Sequence, residues 1–235
     1  AALCTEKGGR KSMKTVAFVP MKLKNERLPG KNTKPFTHGK PLCQYILETL
    51  KKVKGIDEIY VYCSDPAIML HLPKGIKFLR RDPKLDGSHV KINEVLSAFA
   101  EDVPADLYVL AHATAPFLKA ETISKGVAAV QSGEYDSALT VYRQKDFFWM
   151  DGKPWNYDTA EIPRTQDLKP LYRETTGLYI YESRLMTEEN RRVGRHPLLL
   201  EADWKEAVDI NEPEDFIIAD VIYNHCMRKG EKIYE

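Results

Sequence analysis

A cluster of basic residues follows the first apolar segment of the chain. Residues 16–19 are apolar, and residues 21–40 then contain six Lys or Arg against a single acid, Glu26. Pro29-Gly30 in the middle of the cluster allows a sharp turn and a close approach of the backbone to a ligand. A positive loop after the first strand of an α/β fold is suited to an anionic ligand. Charge alone also fits a solvated basic turn, because Lys and Arg are mostly surface residues.

The loop lacks two common signatures of phosphate binding, the Gly-rich dinucleotide fingerprint and the GxxxxGK[ST] motif. It must therefore hold phosphates through side-chain charge and turn amides. Arg27 and Lys31 lie on either side of Pro29-Gly30 and are the best candidates for a polyphosphate clamp, since Arg offers a planar fork and Lys a point charge. Asn32 is suited either to contact a ribose or base edge or to satisfy the amides of the turn.

A single carboxylate late in the chain is a candidate metal ligand. Asp209 lies in the strand-like segment 207–210, and a carboxylate at the carboxyl end of a strand is well placed for Mg²⁺, which completes its shell with water and phosphate. A turn or cap role for Asp209 stays open. Three further acids, Glu212, Glu214 and Asp215, are expected to begin the final helix, where the positive end of the helix dipole favours them.

Polar residues after other strands are candidate ligand contacts. His112 and Thr114 follow the fourth predicted strand, on the edge where ligands bind in such folds. A lone His is more often structural, and a substrate contact is the alternative role for His112. Asp86 and Ser88 lie in a turn before a helix, where capping and ligand binding are equally plausible.

A Pro-rich loop carries Arg164 and Gln166. Arg164 is suited to pair with a substrate carboxylate, and an ordinary surface position is the alternative.

Strand and helix patterns alternate along the chain, which predicts an α/β fold with a mostly parallel sheet covered by helices on both faces. The predicted strands are residues 15–19, 58–63, 77–79, 107–111, 137–142, 177–181 and, less regularly, 207–210. The predicted helices are residues 41–53, 67–71, 90–100, 121–132 and 216–227.

Residues 143–173 break this alternation with clustered aromatic residues among Pro, Gly and Asp. They predict a hairpin or an extended arm that packs on the main body or on another subunit, because they are too apolar to lie free in water. The absence of repeats and linkers favours a single domain that spans residues 13–235.

Composition limits the functional classes. A net charge of +1 disfavours a dedicated nucleic-acid binder. Four dispersed cysteines without a CxxC pair suggest neither a zinc site nor a disulfide framework, so the expected location is the reducing cytoplasm. No apolar run approaches the roughly 18 residues of a membrane span. Residues 1–12 have no apolar core and read as an added tag or N-terminal arm rather than a secretory signal.

Taken together, several segments resemble the acylneuraminate cytidylyltransferase family, the CMP-sialic acid synthetases and their relatives acting on Kdo-type sugars. The resemblance runs in consistent order from about residue 15 to 220. The matching segments are RLPGKN (27–32), KPF (34–36), GKPL (39–42), YCSDP (62–66), HATAPFLKAETI (112–123), PRTQDL (163–168), GLYI (177–180) and VDINEPEDF (208–216).

The resemblance implies a three-layer, Rossmann-like nucleotidyltransferase fold. It also implies transfer of CMP from CTP to the anomeric hydroxyl of a 3-deoxy-2-keto sugar acid, with release of pyrophosphate. Mg²⁺ would be held at Asp209, and residues 143–173 would form a homodimer contact that brings a neighbouring subunit near the sugar site. The implied nucleotide contacts are Lys22, Arg27, Lys31 and Asn32, and the implied sugar contacts are His112, Arg164 and Gln166.

The chain departs from the family pattern at three places. The usual Ala-Arg-Gly-Gly opening of the first loop is Met21-Lys22-Leu23-Lys24 here. Asn211 stands where many relatives have a second Asp, so a metal site of Asp209 and Asn211 would contain one charge. His112 occupies a position often held by Gln. Two alternatives therefore stay open: a nucleotidyltransferase acting on a sugar or polyol phosphate, and a sugar-nucleotide-binding module that has lost catalysis.

Overall fold

Strands with apolar side chains on both faces form the centre of the molecule. The computed structural model describes residues 13–227, so the predicted tag or arm at residues 1–12 lies outside the described residues. β1 illustrates the pattern, because Val16, Ala17, Phe18 and Val19 are all fully buried. The strands are β1 (Thr15–Met21), β2 (Glu58–Cys63), β3 (Lys77–Arg80), β4 (Leu107–Ala111), β5 (Ser137–Gln144), β6 (Trp149–Met150), β7 (Lys153–Pro154), β8 (Leu171–Glu182) and β9 (Pro197–Glu201).

Seven of these strands form a mostly parallel sheet in the order β3-β2-β1-β4-β8-β5-β9. β1 pairs in parallel with both β2 and β4, and β2 with β3. β5 pairs in parallel with β9. Within this sheet β8 runs antiparallel to its neighbours β4 and β5. The predicted α/β sheet is confirmed, with one antiparallel strand in its middle.

Helices cover both faces of the sheet and give three layers. Ala17 and Val19 point to the face covered by α1 and α3, whereas Val16 and Phe18 point to the face covered by α2 and α4. On the second face the rings of Phe18 and Phe99 stack with centroids 3.9 Å apart. The helices are α1 (Leu42–Leu50), α2 (Ile92–Asp102), α3 (Ala120–Gln131), α4 (Ser183–Thr187) and α5 (Pro213–Ile222), which continues into a π-helical turn at Tyr223–Met227.

The acidic turn before α5 begins the helix, as the sequence predicts. The Asp215 carboxylate accepts hydrogen bonds from the backbone N–H groups of Asn211 (2.9 Å) and Glu212 (2.8 Å), and Pro213 occupies the first turn. Reciprocal capping of this kind satisfies N–H groups that have no partner inside the helix. The cap fixes the position of the residues just before it, Asp209 to Asn211.

The prediction of strand character at residues 207–210 is wrong. These residues are irregular, and among the described residues Ile210 makes one backbone–backbone hydrogen bond, donating its N–H to the Thr114 carbonyl at 2.9 Å. Their apolar character has another cause, because Ile210 packs with Phe117 and Phe216 in a third apolar cluster beside the sheet. The strand that completes the sheet edge is β9, which the sequence analysis missed.

The aromatic segment begins as a continuation of β5 and contains a β6–β7 hairpin. Trp149 pairs with Pro154 and Met150 with Lys153. The two-residue turn is Asp151-Gly152, with φ of 52° and 74°, a conformation typical of hairpin turns. The hairpin alternative is thus confirmed, and a dimerisation role stays a prediction.

Among residues 13–227, none of the helices combines the length and the apolar character needed to cross a lipid bilayer.

Candidate active site

A cavity of about 280 Å³ opens at the carboxyl ends of the central parallel strands. The chain runs outward from β1 to β2 and β3 and then returns to the other side of β1 with β4. β1 and β4 therefore form the switch point at which α/β sheets bind ligands. The cavity lies between the ends of β1 and β4 and the beginning of α2. Its lining includes Pro20, Met21, Lys22, Asn25, Lys31, Asn32, Arg81, Leu85, Asp86, Gly87, Val90, Ile92, Val95, His112, Ala113 and Thr114.

Lys31 is a buried cation at this cavity. Gly30 adopts a left-handed conformation with φ of 67° and leads into a short 3-10 helix, Lys31–Thr33. Lys31 is 8% exposed, and its Nζ donates to the Ile210 carbonyl at 2.8 Å. Burial, followed by the nearby Arg27, lowers the Lys31 pKa, while Asp209, Glu212 and Asp215 act in the opposite direction. Lys31 thus connects the first loop to the segment that carries Asp209.

Arg27 makes a second connection between these segments. Its Nη2 donates to Asn211 Oδ1 at 2.9 Å, and its Nη1 pairs with Glu212 Oε1 at 3.0 Å. Asn211 Nδ2 in turn donates to Asp209 Oδ2 at 2.7 Å, and Thr176 donates to the same oxygen at 3.0 Å. The structure therefore brings together the basic loop and the late carboxylate, which are separated by about 180 residues of sequence.

The cavity lining also includes Lys22, Asn32 and Asp86. Lys22 Nζ approaches the Asp86 carbonyl at 3.3 Å, and Asn32 Nδ2 donates to the Lys22 carbonyl at 3.0 Å. Asn32 is thus a turn-stabilising residue that also borders the cavity. The Asp86 carboxylate is engaged by Ser64 and Arg81. Ser88 is exposed and lies outside the cavity lining.

Arg81 is a cavity residue that the sequence analysis missed. It follows β3 directly, is 5% exposed, and forms an ion pair with Asp86. Its guanidinium lies 5.9 Å from the centre of the Tyr62 ring, while its Nε has no hydrogen-bond partner. The rule that ligands bind at the carboxyl ends of parallel strands would have identified Arg81, as it did the residues after β1 and β4.

Unsatisfied polar atoms concentrate at this cavity. Four buried side-chain atoms lack a hydrogen-bond partner within the described part of the chain, and three of them belong to cavity residues: Asn25 Oδ1, Arg81 Nε and His112 Nε2. Buried polar groups are rarely left unpaired in folded proteins. Their position here indicates a site that is completed by a polar ligand.

His112 borders the cavity in its neutral form. Its backbone N–H donates to the Gly177 carbonyl at 3.0 Å, which extends the β4–β8 pairing by one residue. Burial lowers the His112 pKa to about 4, and Arg192 and Lys31 add to that effect against Asp209. Near neutral pH the ring therefore offers one donor and one acceptor nitrogen. Thr114 lines the cavity beside it.

Arg164 and Gln166 lie away from this cavity in the described chain. Arg164 is paired with Asp167 through Nε at 2.7 Å and Nη2 at 3.2 Å, and its side chain is 73% exposed. Gln166 is exposed and its carbonyl accepts a hydrogen bond from Lys145. The structure does not bring either residue to the site formed by this single chain.

The residues around Asp209 offer a small oxygen donor set. Within residues 13–227 no group of three or more His, Cys, Asp or Glu side chains is arranged to hold a metal ion. Asp209 Oδ1 accepts no hydrogen bond from the described residues, whereas Asn211 Oδ1 is occupied by Arg27. One carboxylate fits Mg²⁺ that is otherwise held by water and phosphate. Asn211 is better suited to orient Asp209 and Arg27 than to ligate the metal.

Comparisons with known proteins identify the family. The cytidylyltransferase family model matches residues 16–228. The 3-deoxy-manno-octulosonate cytidylyltransferase 2 of Hydrogenovibrio crunogenus is 28% identical over 187 residues, covering 78% of this chain and 70% of that protein. The CMP-N,N'-diacetyllegionaminic acid synthase of Legionella pneumophila is 26% identical over 225 residues, covering 88% of this chain and 95% of that protein.

A solved structure shows the same fold. It is CMP:2-keto-3-deoxy-manno-octonic acid synthetase complexed with CTP, with a TM-score of 0.68 and 16% identity over 90% of this chain and 98% of that one. The predicted three-layer, Rossmann-like nucleotidyltransferase fold is confirmed. With the family model spanning nearly the whole described sequence, the chain belongs to the cytidylyltransferase family and is an enzyme of the nucleotidyltransferase kind.

Proposed function

We propose that the protein transfers CMP from CTP to the anomeric hydroxyl of a 3-deoxy-2-keto sugar acid and releases pyrophosphate. The observation that carries the proposal is the junction of Lys31 and Arg27 with the Asp209–Asn211 segment, next to the switch-point cavity that Lys31 lines. Two relatives whose names specify CMP or cytidylyl transfer to sugar acids of this class support it. A cytoplasmic location stays a prediction.

The nucleotide would occupy the side of the cavity that holds Lys22, Asn32 and Arg81. The unpaired Nε of buried Arg81 is a hydrogen-bond donor suited to the O2 or N3 acceptors of a cytosine ring. Asp86 holds the guanidinium in place through its ion pair. Lys22 Nζ lies 3.3 Å from the Asp86 carbonyl. From this position it would contact the ribose or the phosphates of a nucleotide bound beside Asp86.

Positive charge at the basic loop would stabilise the leaving group. The acceptor hydroxyl oxygen attacks the α-phosphorus of CTP, and the bond from that phosphorus to the bridging oxygen of the pyrophosphate breaks. Lys31 and Arg27 lie where this negative charge develops, and fixed cations at such a position lower the barrier because they need no reorganisation. Burial of Lys31 strengthens its interaction with an anion.

Asp209 would hold Mg²⁺ on the acceptor side. Bound Mg²⁺ would polarise the α-phosphate and promote deprotonation of the attacking hydroxyl. Thr176 and Asn211 fix the carboxylate by hydrogen bonds to Oδ2, which leaves Oδ1 available. His112 and Thr114 border the neighbouring space and would contact the sugar.

A homodimer would complete the sugar-binding part of the site. The segment at residues 143–173 exposes large apolar side chains, with Trp149 at 60%, Trp155 at 54% and Ile162 at 65%. Several large exposed apolar side chains in one segment favour association. Arg164 and Gln166 belong to the same segment, so a second copy packed against it is the route by which they would approach a sugar site.

The test is a pyrophosphate-release assay with Mg²⁺, the four common nucleoside triphosphates and a panel of acceptors. The panel contains 3-deoxy-2-keto sugar acids and, as the competing class, sugar and polyol phosphates. Release that requires both CTP and a sugar acid supports the proposal. Release with a phosphorylated polyol instead would contradict the acceptor class. CTP-induced thermal stabilisation without any release would indicate a binding module that has lost catalysis.

A further inference from the structure

Arg192 is a partly buried cation whose hydrogen-bonding capacity is unused. It lies between α4 and β9, and its side chain is 22% exposed. Its guanidinium carbon lies 3.7 Å from the centre of the Tyr179 ring. Arg192 forms an ion pair with Glu174, but Glu174 Oε1 is 3.7 Å from Nη2, which is beyond hydrogen-bond distance. Arg192 makes no side-chain hydrogen bond to any of the described residues, although a guanidinium has five N–H donors.

Strand register places this cation near His112, which lines the cavity, although Arg192 itself is not a lining residue. Leu110 in β4 pairs with Tyr179 in β8, and both side chains point to the face covered by α2. His112 lies two residues beyond Leu110, so the alternation of side chains directs it to the same face, towards the carboxyl end of the sheet. Arg192, which covers Tyr179, is therefore a neighbour of His112. Its effect on the His112 pKa, together with that of Asp209, agrees with this placement.

The structure holds Arg192 in position. Asn93 Nδ2 at the beginning of α2 donates to the Asn190 carbonyl at 2.6 Å, and Val193 packs into the cluster on the α2 face. The Tyr179 hydroxyl donates to Glu174, which keeps that carboxylate beside the guanidinium. A cation that is stacked and oriented before the ligand arrives loses little side-chain entropy on binding.

We propose that Arg192 binds the carboxylate of the acceptor and determines the specificity of the enzyme for sugar acids. The planar guanidinium matches a carboxylate in a bidentate pair, and His112 Nε2, which has no partner, lies on the same face. Arg164, the candidate from the sequence, is hydrogen-bonded to Asp167 through two nitrogens, whereas the ion pair of Arg192 with Glu174 leaves its N–H donors unused. The assignment rests on the proposed function, and it specifies which group of the acceptor is recognised within one subunit.

Arg192→Gln tests this assignment by removing the charge at similar size. The KM for the sugar acid is expected to rise about 10–100-fold, the range for loss of a hydrogen-bonded charge pair. The KM for CTP is expected to stay within about twofold, and Arg192→Lys should recover part of the loss. Arg191→Gln is the matched control, because the Arg191 side chain is 42% exposed and pairs with Glu189 at 3.2 Å.

An acceptor analogue with a carboxamide in place of the carboxylate gives the second readout. The wild-type enzyme should lose affinity for this analogue by the factor seen in Arg192→Gln, and Arg192→Gln should lose nothing further. An unchanged sugar-acid KM in Arg192→Gln would overturn the assignment while the proposed function stands. Equal rises in both KM values would also overturn it, by showing a general structural effect. If wild-type enzyme that CTP stabilises thermally transfers CMP to no sugar acid, the proposed function itself fails, and the assignment with it.

Discussion

At the scale of single residues, His112 links stability to pH. Its pKa is lowered to about 4 in the folded chain, against about 6.5 when unfolded. Between these two pH values the unfolded state binds more protons than the folded state. The contribution of His112 to the free energy of unfolding is therefore complete above about pH 6.5 and is lost as the pH falls towards 4. The groups acting on His112 are Arg192 and Lys31, which lower its pKa, and Asp209, which raises it.

We therefore expect the contribution of His112 to the free energy of unfolding to fall by about 2 kcal/mol between pH 7 and pH 5. Urea unfolding of wild type and His112→Gln at both pH values measures it. The variant should lose less stability than wild type over this interval by that amount. His89→Gln, at an exposed histidine, should behave like wild type. Equal pH dependence of wild type and His112→Gln would contradict a neutral buried imidazole.

A second residue-scale prediction concerns the buried cation at the basic loop. Lys31→Met keeps most of the side-chain volume and removes the charge, so turnover is expected to fall about 10²–10³-fold, as when one fixed donor to a developing charge is lost. Lys24→Met is the control, because Lys24 lies in the same loop and is exposed. Steady-state rates with saturating CTP make the comparison. If Lys31→Met is folded and turns over like Lys24→Met, Lys31 has no catalytic role.

The position of Arg27 and Lys31 at a ligand site could be predicted, because both lie in the loop that follows β1. Asp209 reaches this loop for a different reason, because residues 207–210 are not a strand and are held in place by the cap of α5 and the docking of Ile210. The hydrogen-bond partners of these residues could not be predicted. That Asn211 holds both Arg27 and Asp209 depends on side-chain geometry across some 180 residues of sequence. Arg192 belongs to a polar loop without periodicity, and only the packing of that loop over Tyr179 reveals it.

At the scale of elements, the turn that presents Lys31 depends on one backbone conformation. Gly30 has φ of 67°, and a Cβ at this position would meet no atom within 4 Å. The cost of Gly30→Ala is therefore conformational, about 1–2 kcal/mol, and it should also weaken CTP binding by shifting Lys31. Gly30→Asn is the control, because Asn tolerates the left-handed region. Thermal unfolding and CTP titration test both; equal behaviour of the two variants would contradict the argument.

Buried strands were predictable from apolar runs, and so was the edge strand β3, whereas the opposite edge strand β9 was not. β1, β2 and β4 are continuous apolar segments in the middle of the sheet, so their composition identifies them. β9 is a short edge strand, and its sequence PLLLE is not distinctive. At residues 207–210 the apolar pattern reflects Ile210 docking on Phe117 and Phe216 rather than a strand. The spacing of apolar residues shows which residues are buried. Tertiary packing decides whether those residues belong to a strand, a helix or an irregular segment.

At the scale of the whole molecule, the aromatic segment predicts a dimer. Wild type should have about twice the chain mass of 26.9 kDa in solution. Trp149→Ser combined with Trp155→Ser removes two large exposed apolar side chains and should shift the protein towards monomer. Light scattering after size exclusion measures the mass. Leu70→Ser, at a site that is 87% exposed elsewhere, is the control and should stay dimeric. A monomeric wild type would contradict the prediction.

The account as a whole requires one covalent outcome: transfer of the CMP group of CTP, with its α-phosphorus, to a sugar acid. Phosphorus NMR of a reaction with CTP, Mg²⁺ and a 3-deoxy-2-keto sugar acid observes it directly. We predict a new phosphodiester resonance and pyrophosphate in equal amounts as the CTP signals decline. Unchanged CTP, or a phosphomonoester or CDP product instead of a phosphodiester, would contradict the proposed cytidylyl transfer.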